Sequence, residues 1–233
     1  MVDTPAASWV RVGLFALPAY GILTVWATLE PQPDQVSDPE GWAGFVSSTS
    51  YLTSHLIGSI GGTVLAIFGT FALGAYLASS RSPRLALTGM TLAVAAHALF
   101  VVPGAISAFA TPAIGRAYLA GNNQVMELQF PAVMTGIVAF GLLLALVGNV
   151  LLGVAVWRSG TLPRWAGALW IAAAFIFYVL GAVLGMATTG ASLPTQPVGA
   201  ALMALSGGWM AWAALRHREP VRADRITTRE GGL

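Results

Sequence analysis

Charged side chains divide this chain into long apolar runs, and the lengths of those runs predict its elements. No Asp, Glu, Lys or Arg occurs over residues 12–29, 41–80, 85–115, 128–157 or 165–215. A helix crossing the ~30 Å hydrocarbon core of a bilayer needs about 20 apolar residues at ~1.5 Å per residue. The first four runs each accommodate one such helix. The fifth accommodates two, parted by the loop-like "TTGASLPTQP" at 188–197. Six transmembrane helices are therefore predicted near residues 11–29, 50–79, 85–109, 129–157, 164–187 and 197–216. The fold class is all-α, an integral membrane bundle over residues 1–216, followed by a polar, poorly ordered cytoplasmic tail at 217–233.

The helix faces are patterned by small residues. In the second predicted helix Gly58, Gly62, Ala66, Thr70, Gly74 and Ala78 recur at every fourth position, and in the fourth so do Gly141, Ala145, Asn149 and Gly153. Helices gain little from hydrophobic burial against one another in lipid, so close backbone approach and van der Waals contact supply the association. The stripes predict a tightly packed bundle rather than a wide pore, and they would serve equally well within one chain or in a homo-oligomer. Asn149, set inside its stripe, is expected to hydrogen-bond across to a neighbouring helix. A faint repeat accompanies these stripes: Leu73–Gly74 precedes "SPR" (82–84) as Leu152–Gly153 precedes "LPR" (162–164), which would make two hairpins of like orientation.

Composition confirms the solvent. The chain is 56% hydrophobic and 9% charged, against about 25% charged in soluble domains. Its surface must therefore face lipid. All 11 basic residues are Arg, and their placement sets the orientation. Arg11, Arg81, Arg84, Arg158, Arg164, Arg216 and the four arginines of the tail fall on one side of a six-helix arrangement, and Arg116 alone falls on the other. By the positive-inside rule both termini are cytoplasmic, in a multi-pass protein of the plasma membrane. Trp9, Trp157 and Trp165 then mark the inner interface, and Trp26 and Tyr51 the outer. The first segment reads as a retained helix rather than a cleaved leader, because Asp3 and no basic residue precede Arg11. The formal charge of +2 reflects this topology and implies no nucleic-acid partner. With no cysteine, thiolate metal sites, Cys nucleophiles and disulfides are excluded. No Walker loop, GxSxG elbow or HExxH motif occurs. Asp34, Asp38 and Glu40 lack the spacing of a calcium loop, and with Pro31, Pro33 and Pro39 they read as a stiff, solvated connection.

Ionisable residues inside a membrane are the default functional candidates. Two histidines qualify, His55 and His97. Counting from the run ends puts His55 ~6 Å below the outer boundary and His97 ~12 Å below it, both on small-residue faces. Four readings follow. His55 and His97 would be the axial ligands of a b-type haem, with Arg116 pairing a propionate. They would join Glu127, in "NNQVMELQFP", as a two-histidine, one-carboxylate metal site of a hydrolase. They would relay protons in a transporter. Or each would hydrogen-bond to a carbonyl or hydroxyl and orient the bundle, with Arg116 pairing Glu127. Pro103 is expected to kink the third helix.

The stretch "GNVLLGVAVWRSGTLPRWAGALW" (148–170) resembles segments in small multi-pass membrane proteins of high-GC actinobacteria, and the absence of Lys fits that codon bias. The resemblance covers the fourth to sixth helices best. It implies a fold and a membrane, and no functional residue carries over from it. The expected function is thus a non-enzymatic membrane protein that binds or moves a small apolar molecule. A haem-binding cytochrome is the alternative, and a metal-dependent intramembrane hydrolase stands third.

Overall fold

The computed structural model describes residues 5–128, 131–188 and 192–216. Among them every regular element is helical. α1 (Pro5–Thr28) is followed by a short α2 (Pro39–Val46), then by α3 (Thr49–Leu77), α4 (Pro83–Leu119), α5 (Ala132–Ser159), α6 (Arg164–Thr188) and α7 (Thr195–Arg216). All but α2 are long and apolar enough to cross a membrane. Each of the six predicted spans falls on one of these helices. The predicted tail, 217–233, lies outside the described residues.

Proline shapes the first helix. Pro18 has no N–H to offer the Leu14 carbonyl, which instead accepts from Leu17 N at 3.1 Å, and α1 bends through Leu14 and Phe15. Pro103 does not end α4. Beyond it the backbone widens into a π-helical stretch, Ile106–Ala110, and the helix resumes at Thr111. At 37 residues, α4 is ~55 Å long and exceeds the ~40–45 Å of a whole bilayer. The segment 111–119 is therefore a continuation of the third membrane helix, ten residues past its predicted end at 109. Two further π-helical stretches occur, Ser54–Gly61 in α3 and Phe175–Val183 in α6.

Each membrane helix packs on its neighbours in sequence, and α7 returns to α1, so the six close into a ring. Glycines let the backbones meet at every seam. Gly21 faces Ala200 and Ala204 between α1 and α7, and Gly58 faces Leu23 and Ala27 between α3 and α1. Gly74 faces Met90, Gly89 and Gly148 face one another, Gly153 faces Gly167, and Gly199 faces Phe177. The predicted stripes are thus used inside one chain. Large apolar side chains such as Phe68, Phe140, Leu143 and Leu205 point outward, as a lipid-facing exterior requires.

The stiff, solvated loop read from residues 30–44 needs correction. Its second half is α2. Asp38 Oδ1 accepts from Gly41 N at 2.9 Å as the N-cap, Pro39 follows within the first turn, and Glu40 lies at the positive end of the helix dipole. Trp42, Ala43 and Val46 are buried with Tyr51, against Ile114 and Tyr118 of α4. Gly115 of α4 meets Ala43, Val46 and Ser47. The first half stays almost wholly exposed. There Asp34 Oδ1 accepts from Val36 N, Ser37 N and Ser37 Oγ, and the Ser37 donors hold its carboxyl below the usual carboxylate range. This end of the ring also carries Glu30 and Glu127 and is called the acidic end below. The opposite end carries Arg81, Arg84, Arg158, Arg164 and Arg216.

Candidate functional site

His97 lies on α4 where the ring closes on its own axis, with 3% of its surface exposed. Its Nδ1 is 2.6 Å from the Ala93 carbonyl oxygen one turn back. A carbonyl only accepts, so Nδ1 carries the hydrogen and Nε2 presents a lone pair. That Nε2 is buried and has no hydrogen-bond partner. Two aromatic rings pack on the histidine, and a third packs behind one of them. Tyr20 of α1 meets it edge to face at 5.6 Å between centroids, and Phe100 does so at 6.2 Å. Tyr178 of α6 stacks on Phe100 at 6.5 Å.

The Tyr178 hydroxyl faces Tyr20 and Asn149 but makes no well-formed hydrogen bond with either. Asn149 itself is satisfied: its amide donates to the Ala145 carbonyl at 2.8 Å, and its oxygen accepts from Trp170 Nε1 at 3.0 Å. The hydrogen bond between α5 and α6 is the interhelical use expected of this asparagine. Ser206 Oγ donates to the Ala166 carbonyl at 2.7 Å and ties α7 to α6 in the same way. The interior of the ring is therefore an aromatic cluster drawn from α1, α4 and α6, backed by a polar pair on α5 and α6, with an unpartnered histidine nitrogen buried beside it.

His55 belongs to a different place. It is half-buried in the π-helical stretch of α3, its Nδ1 3.0 Å from the Tyr51 carbonyl and its ring stacked on Tyr51 at 3.9 Å. The contacts between α3 and α4 give its level. Gly104 faces Ile60, and the Tyr51 hydroxyl reaches toward Ser107 and Thr111. The part of α4 beside His55 therefore lies beyond Gly104, and His97 is at least ~10 Å deeper. Two metal–nitrogen bonds of ~2 Å span only ~4 Å, so the two histidines do not share a haem or any other metal. The ends of apolar runs do not fix the level of one helix against the next, and the depths read from them converged too closely.

The metal trio is not assembled either. Among the described residues no three His, Cys, Asp or Glu side chains converge to hold a metal ion. Glu127 ends a 3-10 turn, Asn123–Glu127, and is exposed. Arg116 is exposed on the far part of α4, and no ion pair joins the two among the described residues. Tyr20, Trp170 and Tyr178 were not legible as site residues. The signal available was a polar-tipped aromatic in mid-span rather than at an interface, where tyrosine and tryptophan ordinarily sit.

No protein-family model, curated protein or solved structure matches the chain.

Proposed function

We propose that this chain is a non-enzymatic multi-pass protein of the plasma membrane that binds a small, uncharged, largely apolar molecule on the ring axis, through one hydrogen bond to His97. The observation that carries the reading is the buried, unpartnered Nε2. An acceptor left bare in a low-dielectric interior costs ~1–3 kcal/mol, which a donor from a bound molecule offsets. The rings of Tyr20, Phe100 and Tyr178 suit an apolar body. Every carboxylate among the described residues is exposed, so none stands beside His97 as a charged partner. The molecule should be uncharged for the same reason.

The test is release. Protein extracted in mild detergent is denatured, and the small molecules set free are measured by mass spectrometry, for the wild type and for His97→Phe. The wild type should release about one equivalent of a neutral species that the variant lacks, in line with one site per chain. Identical release from both proteins would overturn the reading.

The orientation in this reading, with both termini cytoplasmic, rests on the arginine asymmetry. The chain contains no cysteine, so single cysteines report it cleanly. In intact cells an impermeant maleimide should label Ser37→Cys and should reach Thr161→Cys only after permeabilisation. The reverse pattern would invert the orientation.

A further inference from the structure

At the arginine end, a groove of about 280 Å³ opens between the start of α4 and the end of α5, lined by Arg81, Ser82, Pro83, Arg84, Leu85 and Arg158. Three of the six lining residues are arginines, all exposed, and no acidic residue is among the six. The Arg81 guanidinium lies over Gly160, at the left-handed turn that closes α5, which holds it beside the groove. Two other arginines of this end have aromatic partners: Arg164 stacks on Trp165 at 5.4 Å, and Arg216 on Trp212 at 3.6 Å. The groove arginines have no comparable partner among the described residues.

Position adds to charge. The groove sits where two membrane-length helices end, which is where a bilayer spanned by such helices has its headgroups. Trp157 and Trp165, paired at 5.1 Å, lie on the same end as interfacial anchors. Leu85, half-buried, puts an apolar surface next to the guanidiniums. Planar, permanently charged forks that converge on one cavity match phosphate oxygens, and basic pockets between membrane helices hold anionic headgroups.

The geometry points to a phosphate-binding site in this groove, taking the headgroup of an anionic phospholipid through Arg81, Arg84 and Arg158. It is independent of what occupies the ring axis.

The experiment uses the full chain in detergent, presented with an equimolar mixture of short-chain phosphatidylglycerol and phosphatidylcholine, with retained lipid read by native mass spectrometry. The wild type should retain the anionic lipid preferentially. Removing each arginine as Gln should lower that preference by roughly fivefold, the worth of about one surface arginine, until Arg81→Gln/Arg84→Gln/Arg158→Gln shows none. Arg164→Gln, outside the groove, should keep the wild-type preference. A parallel arm adds inorganic phosphate. Displacement of the lipid identifies free phosphate as a ligand of the same site, and failure to displace it assigns the site to the headgroup within its bilayer. The proposal is overturned by equal retention of the two lipids, by an unchanged preference in the triple variant, or by Arg164→Gln weakening binding as much as the groove variants do. Each variant's helical content and elution volume are compared with the wild type, so that a folding defect is not read as lost binding.

Discussion

Gly148→Ala is expected to destabilise the ring severely, while Gly136→Ala, the same change on the same helix, leaves it unharmed. A Cβ at Gly148 would stand 2.6 Å from Ala93 N, 2.9 Å from Gly89 O and 3.0 Å from Ala93 Cα. All three are backbone atoms of α4, so no side chain can swing away. The helices must part, and in lipid the seam has little besides close contact to hold it. Overpacking of this kind costs ~1–3 kcal/mol and occasionally more. At Gly136 nothing lies within 4 Å, and replacing a helical glycine by alanine gains ~0.5–1 kcal/mol. Thermal unfolding in detergent should therefore place Gly148→Ala about 5–10 °C below the wild type, by the scaling for chains of this length. Gly136→Ala should match or exceed the wild type. Equal melting temperatures for the two variants would mean that the α4–α5 seam is not closed by backbone contact.

The second large effect is at Trp170, which is 1% exposed and donates to Asn149. Trp170→Ala should cost ~3–5 kcal/mol, because the cavity removes the packing partners of several helices at once. The hydrogen bond is a smaller share of that. Trp170→Phe keeps a ring but removes the N–H, and Asn149→Leu leaves that N–H buried without an acceptor. Each should cost ~1–2 kcal/mol. The double variant should cost less than the two together by ~1 kcal/mol, the signature of a direct interaction. Strict additivity would show that the pair contributes only by filling space.

The helices were legible because charge is so sparse: Arg11 to Glu30, or Arg84 to Arg116, delimits a span by itself. The small-residue stripes were legible too, since periodicity needs only one helix. What the sequence withheld is relational. His55 and His97 looked only ~6 Å apart in depth because each was measured from its own run, whereas their offset is set by Gly104 against Ile60. Tyr20 and Tyr178 sit in apolar runs with nothing local to show that they face the same axis. α2 was hidden by its prolines, although Asp38, Pro39 and Glu40 form an ordinary helix start. The tertiary partner that steadies so short a helix is on α4, far along the chain.

That partner gives α4 a mechanical character. A single helical rod carries both the seat of α2, at Gly115, and the buried imidazole of His97, ~27 Å apart along its axis. Between them lie Pro103 and the widened turn Ile106–Ala110, the kind of joint at which helices bend. The acidic-end surface and the interior cluster are therefore two arms of one lever. How much of a tilt imposed on one arm reaches the other is set by the stiffness of that joint.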